Sequence, residues 1–75
     1  MLAEFFAIGD RVSWAKKIPW HRQDGPFIVR QVLVDPQLPS RQLLVVQLES
    51  DNWTLLNPFT GQADCIAAVH FHKID

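Results

Sequence analysis

The chain has 75 residues, 48% of them hydrophobic, with one cysteine and a formal charge of −1. That length holds one small domain, residues 1–75, and the lone Cys65 excludes an internal disulfide or a cysteine-rich zinc site. The near-neutral balance gives no whole-molecule attraction to nucleic acid or anionic lipid, and no apolar run approaches the ~18 residues of a membrane span.

The lead-in Met1–Ile8 is apolar but has no basic n-region, carries Glu4 and lacks a cleavage-site context, so it does not read as a targeting segment. Either its Phe5, Phe6 and Ile8 pack against the end of the domain or the segment forms a helical turn, being too short to decide between them. Gly9-Asp10 is a turn signal, and Arg11–Lys16 alternates as a first strand with Val12 as its core residue. Lys17–Asp24 holds Pro19 and polar groups and reads as a loop, closed by Gly25-Pro26.

Phe27–Val34 is a second strand whose apolar residues fall on both parities. A strand with one wet face alternates cleanly, so either a bulge at Arg30-Gln31 shifts the parity or the second face is also covered. Asp35–Ser40, with Pro36 and Pro39, is expected to be a loop, followed by a third strand over Arg41–Leu48. Glu49–Asn52 turns into a fourth strand, Trp53–Leu56, and Pro58–Gly61 turns again. At the end, Cys65 and Ile66 pair, a short turn forms around Ala67–Val69, and a strand runs through Phe71–Ile74. Five short strands with few helical signals indicate an all-β domain, a small barrel.

Three pieces carry a resemblance: Ile8-Gly9-Asp10-Arg11-Val12 opening strand one, Gly25-x-Phe27-Ile28-Val29 opening strand two, and Ala67 to Ile74 at the end. Their order resembles the SH3-like small-barrel superfold, including Tudor and KOW modules, which enter by a G-D-x-V turn and leave by a short 3₁₀ turn before a closing strand. The implied architecture is a five-stranded SH3-like barrel. Length and ending are also similar to the plasmid-borne type II dihydrofolate reductases, whose pore is lined by V-Q-I-Y. This chain has Ala63-Asp64-Cys65-Ile66 there, without the glutamine or the tyrosine, so that activity does not carry over.

Charge is unevenly spread along the chain. Residues 1–41 carry Arg11, Lys16, Lys17, Arg22, Arg30 and Arg41 against Glu4, Asp10, Asp24 and Asp35, a sum of +2; residues 42–75 carry Lys73 against Glu49, Asp51, Asp64 and Asp75, a sum of −3. His70 and His72 form an H-x-H pair that zinc or copper would need supplemented by Cys65 or Asp64. Without a longer ligand motif they read as surface residues, and no cofactor is implied. The isolated glycines Gly9, Gly25 and Gly61 make no phosphate loop, and no nucleophile turn or productive carboxylate pair is present, so the chain does not read as an enzyme.

The aromatics are more suggestive. In SH3-like barrels the first long loop and the facing hairpin form the recognition surface. Here that loop holds Trp20, His21 and Arg22 beside Lys16 and Lys17, with Trp53 from the hairpin, an anchor ringed by donors. The reading is a cytoplasmic, non-enzymatic protein-interaction module or a subunit of an oligomer. Its expected self-association face is Ile28, Val32, Val34, Leu43 and Val45. The alternative is a module that stacks single-stranded nucleic acid on tryptophan.

Overall fold

The computed structural model describes residues 5–74, so Met1–Glu4 of the lead-in lie outside it. Strands β1 (Arg11–Trp14), β2 (Phe27–Asp35), β3 (Leu38–Leu48), β4 (Trp53–Thr54), β5 (Ile66–Ala67) and β6 (Phe71–Lys73) form one antiparallel sheet. Its path is β4-β3-β2-β1-β6, with β5 also on β3. The domain is all-β as expected, with six strands rather than five, because Ile66–Ala67 pairs separately with Leu43 and Leu44.

The connection from β5 to β6 sets the architecture. β5 lies on the free edge of β3 and β6 on the free edge of β1, with only the 3₁₀ turn Ala68–His70 between them. One short passage of chain therefore links opposite ends of the sheet. Ala15 and Lys16 N–H groups both donate to the His70 carbonyl, and the Ile74 N–H donates to Arg11, fixing that passage against β1.

The mixed parity of β2 has a bulge as its cause. Val29 faces Val46 and Gln31 faces Val45, which leaves Arg30 as the extra residue on β2. Phe27 and Val29 point into the core before the bulge, and Val32 packs against the same core after it. Val45 is only 6% exposed, although it lies outside the main core cluster. Of the five residues of the expected self-association face, Val45 is buried, Ile28, Val32 and Leu43 are half-buried, and Val34 is exposed.

The expected loop Asp35–Ser40 is also corrected. Only Pro36 and Gln37 turn, and β3 already begins at Leu38. Asp35 makes the turn tight by accepting the Gln37 N–H at 2.9 Å, while Pro36 presets its own φ. Asp35 pairs with Leu38 but Val34 with Gln42, so Pro39 falls in an irregular stretch where a missing N–H costs no ladder bond.

Phe27, Leu44, Ile66, Val12, Val29 and Val46 are fully buried, each contributing roughly 2 kcal/mol of apolar burial. Among the described lead-in residues Phe6 enters this core, while Phe5 and Ile8 are exposed, against expectation. Phe6 is held by two backbone bonds with the Gln42 side chain, at 2.7 and 3.1 Å. Trp14 stacks on Phe71 at 4.8 Å and meets Phe27 edge-on at 5.3 Å. Gly25, at φ +83°, opens β2 where an added Cβ would lie 2.9 Å from the Phe27 ring.

Candidate functional site

Two loops converge on one side of the sheet. The first, between β1 and β2, is pinned from beneath by buried Ile18, whose carbonyl accepts the His21 N–H, and by Trp14, whose Nε1 donates to the Gln23 carbonyl at 2.8 Å. The second runs from β4 to β5. Its Leu55 is buried, and Leu56 bridges to Ala63.

Asp64 joins the two loops. Its carboxylate accepts from His21 Nε2 at 2.7 Å, from Trp20 Nε1 at 3.2 Å and from Asn57 Nδ2 at 3.3 Å. The His21 side chain is 4% exposed and Asp64 9%, so the pair lies out of bulk water. Burying a carboxylate is costly unless its lone pairs are occupied, and here three donors occupy them. Trp14 stacks on the His21 ring at 5.9 Å.

Asn57 extends the framework outward. Its Oδ1 accepts the N–H groups of Phe59 and Thr60, its own N–H donates to Gln62, and its carbonyl accepts from Gly61. Thr60 Oγ1 accepts the Gln62 N–H. This closed ring of bonds holds Phe59 81% exposed, touching Trp20 edge-on at 6.1 Å. Trp20, Trp53 and Leu56 are exposed beside it. Trp20, His21, Arg22 and Gln23 from one loop and Trp53, Thr54, Leu55 and Leu56 from the other side line a cavity of about 230 Å³.

Of the residues singled out in the sequence, Trp20, Arg22 and Trp53 come together in this cavity, and Lys16 and Lys17 do not line it. Lys17 instead ties its own loop, bonding Asp24 at 2.7 Å and the Arg22 carbonyl at 3.3 Å. His70 and His72 do not act as a pair, because His70 ends the 3₁₀ turn. His70 Nδ1 meets the Lys16 carbonyl and His72 Nε2 the Ser13 hydroxyl. Among the described residues no three His, Cys, Asp or Glu side chains gather as metal ligands, and Cys65 is exposed. No helix among them is long and apolar enough to cross a membrane.

Sequence reading placed His21 beside Trp20 and Arg22 but missed Leu56, Asn57, Phe59 and Asp64 as parts of the same site. Only Phe59 carried a local signal: a large apolar residue inside the turn run Asn57–Gly61. Compared with known proteins, the chain matches no family model, no curated protein and no solved structure.

Proposed function

We propose that the protein is a small SH3-like barrel acting as a non-enzymatic protein-interaction module, with the Trp20–Trp53 groove as its docking face. The link from β5 through the 3₁₀ turn to β6, joining the two ends of the sheet, supports the barrel reading. The observation that carries the function is Phe59. A phenyl ring held in water by a ring of loop hydrogen bonds gains nothing for the fold, whereas a rigid exposed aromatic is the usual anchor of an interface. The three exposed rings of Trp20, Trp53 and Phe59 present on the order of 400 Å² of apolar surface, a patch of the size that marks a binding site.

Stacking on nucleobases would use the same rings, with Arg22 on phosphate. Asp51, two residues before Trp53, opposes a polyanion and favours a protein, the nearby Glu49 carboxylate being paired with Arg11 at 2.6 Å. The test is affinity capture from native lysate with wild type, Trp53→Ala and Phe59→Ala, each with and without nuclease. A protein held by wild type in both arms and lost by either variant is expected. Equal capture by all three overturns the docking face, and capture abolished by nuclease replaces the protein partner with nucleic acid.

A further inference from the structure

Among the described residues no aspartate or glutamate lines the cavity, and Arg22 is the one lysine or arginine that does. Three bonds fix the main chain around it. Lys17 Nζ donates to the Arg22 carbonyl at 3.3 Å, Trp14 Nε1 to the Gln23 carbonyl at 2.8 Å, and the His21 N–H to Ile18 at 3.1 Å. Its guanidinium has no such tie. Arg22 is exposed, and its side chain makes no hydrogen bond or ion pair among the described residues.

The carboxylates nearby are engaged elsewhere or do not reach it. Asp24 pairs with Lys17 at 2.7 Å, Glu49 with Arg11 at 2.6 Å, and Asp64 accepts from His21, Trp20 and Asn57. Asp51, in the turn before Trp53, is exposed and makes no side-chain bond to Arg22. The His21–Asp64 pair sums to zero with a protonated ring and to −1 with a neutral one, so in either state Arg22 supplies the positive charge at the groove. Trp53 adds a second open donor, since its indole N–H has no partner among the described residues, whereas that of Trp20 is bonded to Asp64. The groove thus offers apolar rings and donors, and it lacks a matching anion.

Resting on the protein-interaction reading, we infer that the groove takes an acidic–apolar segment of a partner protein. A large apolar side chain covers Trp20 and Trp53, and an aspartate or glutamate within two residues of it pairs with Arg22. A guanidinium on a flexible stem reaches such a carboxylate from the border of the groove and can bind both of its oxygens at once. Phe59 does not line the cavity but touches Trp20, so the exposed apolar surface continues past the space that one small organic acid would fill. A length of chain covers both.

The test selects short, random, unphosphorylated peptides displayed on phage against the full chain, as wild type and as Arg22→Gln, once both show the same amide dispersion. Wild type is expected to enrich a large apolar residue with Asp or Glu within two positions. Arg22→Gln should keep the apolar residue and lose the acidic preference. The most enriched wild-type peptide is then synthesised beside a copy with Asn and Gln for Asp and Glu, and each is titrated against the Trp53 indole N–H resonance. Wild type should prefer the acidic peptide by roughly three- to tenfold, and Arg22→Gln by less than about twofold. Selection without acidic enrichment, the same enrichment by both baits, or no selected peptide overturns the inference. If that happens while Trp53→Ala and Phe59→Ala still lose the captured protein, the docking face stands and only the partner's chemistry is wrong. If capture is indifferent to both variants, the interaction reading itself fails.

Discussion

Two regions of this small domain hold large apolar side chains in water, and they do so differently. At the tip of the β2–β3 hairpin, Val34 and Leu38 are exposed beside Pro36, Pro39 and Arg41, backed by the single side chain of Asp35, which accepts the Gln37 N–H and lies 3.9 Å from Arg41. In the loop cluster, Trp20 and Phe59 stand on a network that runs through Asn57 and Asp64 to the buried ring of His21. Prolines and charge are how a sheet edge is kept from pairing with another chain. A hydrogen-bonded scaffold under exposed rings is how a binding surface is kept in shape before its ligand arrives. Exposure alone does not separate the two regions; the atoms beneath the exposed groups do.

Substitutions can break or sharpen that contrast. Phe27→Ala is expected to do most damage, about 3–5 kcal/mol in urea unfolding, because it hollows the core on which Trp14 rests and so loosens the first loop. Asp64→Ala should cost about 3 kcal/mol, since it strands His21 and leaves the donors of Trp20 and Asn57 without their acceptor. In the same variant the Trp20 and Phe59 resonances should collapse toward random-coil positions while the hairpin keeps its amide protection.

Gly25→Ala is expected to lower the thermal midpoint by the equivalent of about 1–3 kcal/mol, from a positive φ and a collision with the Phe27 ring. Smallest of all, Val34→Ser and Phe59→Ala should each change stability by less than about 0.5 kcal/mol. They should part company in binding: Phe59→Ala loses the partner in the capture assay, and Val34→Ser leaves both partner and sedimentation behaviour unchanged. A shift to monomer in Val34→Ser would return the hairpin to the interface.

Much of the sheet was legible in the sequence because its signals are local. Val12 as the core residue of the first strand follows from a six-residue alternation, and the bulge at Arg30 from a parity change within β2. The site was legible only in part. Trp20 and Arg22 lie close together in sequence, but His21 and Asp64 are 43 positions apart, and no local pattern says that they bond. How much of the second apolar face the fold covers was not legible for a related reason. Parity counts which side a residue points to, whereas the covering of Val45 depends on which chain lies over it. Proline misled once, at Pro39, because an irregular pairing accommodates a residue that a regular ladder would not.

The pairing of Val12, Ser13 and Trp14 with Lys73, His72 and Phe71 has a kinetic consequence. Ser13 and His72 are 59 positions apart, so this ladder closes a long loop whose entropy must be met before any of its bonds form. During synthesis β1 can find β2 early, but its other edge stays without a partner until Phe71–Lys73 have left the ribosome. Contact order of this kind places folding in the millisecond-to-second range rather than the microsecond range of helical bundles.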